Sequence, residues 1–151
     1  MYIISYIWVK QKQINMNFSD YYKNYKSEKN LILTENQFAE MMLMLPSVLV
    51  SFSDGNFDEL EKASLAGACE AAAGGANVIS YELYNELTAI ASGNEINQNE
   101  ILSYLKGFIA NDAESKEIVL DLMEDAGKAS DGLSDVESNK ISALKSALNL
   151  N

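Results

Sequence analysis

The chain of 151 residues contains no histidine, no arginine, one cysteine and one proline. Without histidine it lacks the commonest general base and the commonest metal ligand, so serine–histidine catalysis, cysteine–histidine catalysis and His-based zinc sites are excluded together. Without arginine there is no bidentate fork for phosphate. A single cysteine, Cys69, allows neither an intrachain disulfide nor a thiolate cluster. Positive charge is scarce as well: 11 lysines face 22 Asp and Glu, for a net charge of −11. Such a surface repels nucleic acid and anionic lipid and attracts cations or basic partners. What remains is the chemistry of carboxylates, amides and hydroxyls, the ligand set of a hard cation such as calcium, magnesium or manganese.

Long apolar runs are also missing. Met1 to Val9 is apolar, but it is far shorter than the roughly 20 residues that cross a bilayer. No basic segment precedes it and no small-residue cleavage site follows. The chain therefore reads as not membrane-spanning, and a cytoplasmic protein is the default expectation. Residues 1–30 form an N-terminal extension that holds Lys10, Lys12, Lys23, Lys26 and Lys29, with Tyr21, Tyr22 and Tyr25 beside them. Residues 31–151 keep six lysines against 20 acids, a net charge of −14.

From Thr34 onward the periodicity is helical. Phe38, Met41, Met42, Leu45, Val48, Leu49 and Phe52 recur at the three-and-four spacing of one helix face. Leu43, Met44 and Val50 make the same segment apolar on other faces, so it should be the most buried helix. Pro46 inside it should kink the helix or start a new one, because proline lacks an N–H and clashes one turn back. Further stripes run through Ile101, Leu102, Leu105, Phe108 and Ile109, and through Ile118, Val119, Leu122, Met123 and Ala126. Weaker ones include Leu83, Tyr84, Leu87, Ile90 and Ala91, then Ile141, Leu144 and Leu148. The small residues from Ser64 to Gly75 would let a neighbouring helix approach closely. No stretch alternates as a strand does. The fold class is all-α, a compact bundle of about seven helices in one domain.

Helix starts are well marked. Thr34 with Gln37, Asp58 with Glu61, Asn97 with Glu100 and Ser134 with Glu137 have the capping-box spacing, each preceded by an apolar staple residue (Leu33, Phe57, Ile96 and Leu133). Upstream of three of these caps stand Gly55, Gly93 and Gly132, spaced 38 and 39 residues apart. Glycine suits the left-handed residue that commonly closes a helix. The first and last copies share Asp-Gly after Ser, and the middle copy, Ser92-Gly93, lacks the Asp.

An apolar helix running into Ser53-Asp54-Gly55, then an apolar residue, a cap and an acidic helix start, repeated at Ser130-Asp131-Gly132, resembles the TerB-like family, the tellurite-resistance TerB domain and its relatives. The resemblance covers about Thr34 to Leu150, within a domain set at 31–151. It implies a helical bundle of two pseudo-repeated halves, a bacterial stress-response setting and a divalent-cation site built from acidic residues. By that likeness Asp54 and Asp131 match the two Asp-Gly turns, Asp58 and Glu61 the first acidic helix start, and Asp135 and Glu137 the second. The second turn is one residue shorter, so Ser134 rather than Asp135 is its cap. Leu60 and Val136 stand where the family more often has an acid.

Each of these features has a plainer alternative. Asp54 and Asp131 could cap their own turns by Asx-type hydrogen bonds. An EF-hand is excluded: from Asp54 the sixth residue is Glu59 rather than Gly and the twelfth is Leu65 rather than Glu. Met41, Met42 and Met44 sit among Leu, Val and Phe, where Met fills a core, and Cys69 reads as a small buried residue with nothing basic nearby to activate it. Glu114, Glu117, Asp121, Glu124 and Asp125 read as the solvated face of one helix, or as a docking face for a basic protein partner whose binding weakens with salt. Acyl carriage is excluded, since the only Ser-Leu, Ser64-Leu65, follows Ala63 within a helix. The expected function is non-enzymatic: weak divalent-cation binding by the two Asp-Gly turns, or alternatively an acidic protein–protein interaction module that needs no metal. Met16, which opens an ordinary polar start, is expected to be the initiator. N-terminal mass measurement of the native protein should then find Met16 or Asn17, and Met1 or Tyr2 at the terminus would remove that expectation.

Overall fold

The computed structural model describes residues 17–128 and 134–151. The chain divides into two compact units, Met1–Leu31 and Ile32–Asn151. The first contains helix α1 (Phe18–Lys29), which begins where the Asn17 side chain accepts a hydrogen bond from Asp20 N–H at 2.9 Å. It ends at Asn30, whose φ of 56° and ψ of 47° are left-handed, a conformation Asn tolerates better than most residues. Its tyrosines and lysines interact one turn apart. Tyr21 and Tyr25 meet edge to face at 5.9 Å, and Lys26 Nζ donates to the Tyr22 hydroxyl at 3.2 Å.

The second unit contains α2 (Glu35–Phe52), α3 (Glu59–Ala73), α4 (Val78–Ala91), α5 (Glu95–Ile109), α6 (Ala113–Lys128) and α7 (Asp135–Ala147). With α1 this makes seven helices and no strand among the described residues. None of these helices is long and apolar enough to cross a membrane. Helix α2 packs most extensively on α6 and also meets α3, α4, α5 and α7, while α3 packs chiefly on α4. Phe38, Met41, Met42, Met44, Leu45, Val48, Leu49 and Val50 are all buried, so the methionines are core. Pro46 is buried too, and it neither ends α2 nor starts a new helix: α2 is one element from Glu35 to Phe52. Burial on several sides outweighs the local loss of one N–H, and the Ser47 hydroxyl donates to the Met44 carbonyl at 2.6 Å beside it.

The apolar stripes hold with a small rotation on α6. Ser115, Val119, Met123 and Gly127 are buried there, an unbroken four-residue ridge, while Ile118 is 39% exposed. In α5 the buried set is Ile101, Leu102, Leu105 and Ile109. Cys69 is buried in α3, and burial pushes its thiol up to about 11. The small-residue segment behaves differently from expectation at Gly67, which is exposed with no neighbouring atom near the position a Cβ would take. Its two following glycines instead end the helix, Gly74 with φ of 76° and Gly75 with φ of 142°.

Thr34–Gln37 and Ser134–Glu137 form complete capping boxes. A further complete box, Asn77 with Ser80, starts α4. The expected cap at Asn97 is displaced: α5 starts three residues earlier, capped by Asn94, whose side chain accepts from Asn97 N–H at 2.8 Å. Ile96 is therefore not a staple; it lies inside the helix and is 79% exposed. The earlier start brings Gln98 into the first turn, where its amide donates to the Ile90 and Ala91 carbonyls that end α4. Gly93, in the same corner, is not left-handed, and a Cβ there would stand 3.1 Å from the Ala89 carbonyl oxygen. Asn94→Ala is accordingly expected to lower stability by about 1 kcal/mol and Asn97→Ala by no more than about 0.5 kcal/mol, read from urea unfolding. Equal costs would place the cap elsewhere.

Candidate functional site

The corner between α2 and α3 is built from short-range hydrogen bonds. Asp54 Oδ1 accepts from Asn56 N–H at 2.9 Å, the Asx turn that was the plainer alternative for this residue. Gly55 is left-handed with φ of 77°, and its N–H donates to the Phe52 carbonyl at 3.1 Å. The rings of Phe52 and Phe57 stack at 4.4 Å across the corner. Asp58 is the cap of α3, its Oδ1 accepting from Glu61 N–H at 2.9 Å. The start of α7 repeats this with serine as the cap: Ser134 Oγ accepts from Glu137 N–H at 3.1 Å.

Glu61 and Glu137 occupy the third position of their helices, and each is only 4% exposed. Their carboxylates are treated differently. Glu137 Oε1 accepts from the Ser134 hydroxyl at 2.9 Å and from Ser134 N–H at 3.3 Å, which closes the capping box. Glu61 does not close its box, and its Oε2 is buried with no hydrogen-bond partner among the described residues. The cap residue accounts for the contrast. A serine hydroxyl has a proton to give to the glutamate, whereas an ionised aspartate is an acceptor only and repels it.

Glu61 is pushed up to about 7. Burial is the largest cause, followed by the negative charges of Asp58, Asp54 and Glu137, and then by a side-chain hydrogen bond with Asp58 that favours the protonated form. Three of the residues singled out in the sequence therefore act electrostatically on a fourth, and Glu137 does so from the other half of the chain. Asp135 is exposed in the first turn of α7. Asp131 lies outside the described residues. Among the described residues no three carboxylates converge closely enough to hold an ion.

Glu61 also lines a cavity of about 130 Å³ between α2, α3 and α6. Its walls are Met44, Ser47, Val48 and Ser51 from α2, Phe57, Ser64, Leu65 and Ala68 from the α3 side, and Leu122, Asp125 and Ala126 from α6. Asp125, grouped in the sequence with a solvated acidic face, is exposed as that reading expects and also lines this cavity. The signal was its place directly beside Ala126 and three residues after Leu122, on the border between the apolar stripe and the polar face. Glu114, Glu117, Asp121 and Glu124 are exposed, as that face requires.

Compared with models of known protein families, with curated proteins and with solved structures, the chain has no significant match.

The raised Glu61 carboxyl has a direct consequence for stability. Between its ordinary value of 4.5 and its folded value of about 7, the folded state holds a proton that the unfolded state has lost. Stability due to this group therefore falls as pH rises through that window, by up to about 3 kcal/mol. Glu61→Gln should remove that fall, so that the variant gains on the wild type between pH 5 and pH 8 in urea unfolding. Parallel pH profiles for the two proteins would show that Glu61 is not protonated in the folded state at neutral pH.

Proposed function

We propose that the protein is a non-enzymatic, TerB-like stress-response module of the tellurite-resistance type, and that it binds a divalent cation (calcium, magnesium or manganese) weakly at the corner where α3 begins. One observation carries this reading: Glu61 Oε2 is buried, lacks a hydrogen-bond partner among the described residues, and feels only negative charge from Asp54, Asp58 and Glu137. A buried carboxylate in that setting needs a counter-charge, supplied either by a proton or by a cation. Asp54 holds one backbone N–H through Oδ1, which leaves its other oxygen for an ion, and Asp58 adds negative charge beside it. Asp131 and Asp135 join the proposed ligand set through the second Asp-Gly motif. Because no three described carboxylates are already gathered, binding must draw them together, and the cost of that ordering is the reason to expect weak affinity.

A second reading keeps the acidic surface as a docking face for a basic protein and requires no metal. The exposed side of α6, with Glu114, Glu117, Asp121 and Glu124, favours it.

Calorimetric titration with calcium, manganese and magnesium separates the two. Saturable binding is expected in the wild type, lost in Asp54→Ala/Asp131→Ala. The gain in thermal stability on adding the ion should be larger at pH 8 than at pH 5, since the cation displaces the Glu61 proton. Absence of binding, or binding unchanged in the double variant, would remove the cation reading. Salt-sensitive capture of a lysine-rich protein by the metal-free chain would support the second.

A further inference from the structure

The cavity beside Glu61 has the shape and chemistry of a receptor for one particular kind of cation. Its volume of about 130 Å³ is well below the roughly 300–1,000 Å³ of pockets that take drug-sized ligands, so it suits a short unbranched chain. Its walls are mainly apolar, with Met44 and Leu65 among them and Leu122 on the opposite helix. Its polar groups are the Glu61 carboxylate, the Asp125 carboxylate and serine hydroxyls, including that of the buried Ser51. All of these can accept hydrogen bonds and none carries positive charge. The Glu61 side chain is 4% exposed and has an oxygen with no partner among the described residues.

We infer that this cavity binds an aliphatic primary ammonium, with the carbon chain against Met44, Leu65 and Leu122 and the ammonium on the buried Glu61 carboxylate. An ammonium has three donors and no acceptor, which suits a cavity whose polar groups are acceptors. A hydrated divalent ion would meet the apolar wall without gain, and a guanidinium is a wide planar fork. The same chemistry is offered by a free alkylamine and by a lysine side chain. The inference shares the orphaned Glu61 oxygen with the cation reading but does not depend on metal binding at the Asp-Gly corner.

The full chain is titrated at pH 8 and fixed ionic strength with n-butylamine, which stays charged there while Glu61 is ionised. Saturable shifts of the Met44 and Leu122 methyl signals in NMR are expected. n-Butyltrimethylammonium, of equal charge and chain but without N–H donors, should bind at least about tenfold more weakly. Ala126→Met, which fills the cavity, should weaken n-butylamine at least tenfold while leaving calcium or manganese binding unchanged, and Asp54→Ala/Asp131→Ala should do the reverse. Glu61→Gln should weaken both ligands. A short peptide with one central lysine distinguishes the sources: binding at the same methyls identifies a lysine of a partner protein as a ligand, and n-butylamine binding without peptide binding identifies a free amine. If neither binds, if the trimethylammonium compound binds equally well, or if a folded Ala126→Met variant, checked by its thermal unfolding, keeps full amine affinity, the inference is overturned.

Discussion

From Met41 to its end helix α2 has no exposed residue, and the rest of the second unit follows from that. Ten of its 18 residues are buried, distributed around the helix rather than along one stripe. Such a helix is stable only when covered on several sides. Its neighbours α3, α4, α5, α6 and α7 supply that cover. The survival of Pro46 inside α2 has the same origin. A missing backbone hydrogen bond is a local cost of a few kcal/mol, set against the burial of side chains worth about 1.5–3 kcal/mol each.

Covering a helix on all sides brings helix ends together, and this is where the acidic corner arises. Carboxylates near helix N-termini are ordinarily favourable, because they accept orphan N–H groups and complement the dipole. Asp58 acts in this way, holding Glu61 N–H at 2.9 Å, while Asp54 holds Asn56 N–H at 2.9 Å in the turn before it. Glu61 is a different case, since Asp58 already fills the capping role and Glu61 Oε2 is left buried with no hydrogen-bond partner among the described residues. The start of α7 has the same spacing and burial but satisfies Glu137 through the Ser134 hydroxyl. Two corners of one design thus differ by a single proton on the cap residue.

Much of the fold was legible because hydrophobic periodicity is a strong signal over helices of 12 to 18 residues. The all-helical class, the burial of α2, the core role of its methionines and the caps at Thr34 and Ser134 all follow from spacing and residue type. The start of α5 was not legible, because Asn94 and Asn97 are equally good caps locally and the choice depends on Gln98 reaching the end of α4. Of the two expectations for Pro46, a new helix start did not occur, because burial of α2 on several sides outweighs the local preference. At the site, Asp54, Asp58, Glu61 and Glu137 stood out by motif, but the orphaned state of Glu61 depends on which side chains surround it in three dimensions. The cavity and the part Asp125 plays in it come from packing between α2, α3 and α6, and pairwise spacing within one helix carries no record of that.

The one thiol of the chain gives the molecule a built-in sensor of its own breathing. Cys69 is buried in α3, the helix that carries Glu61, and its high proton affinity keeps it from forming the reactive thiolate at neutral pH. In the closed state it is therefore chemically silent toward oxidants and alkylating reagents. Any modification of it must pass through an opening of α3 away from its neighbours, so its labelling rate measures the frequency of that opening. The thiol thus sits behind a conformational barrier, and its exposure to reagents is set by the lifetime of the packing around α3.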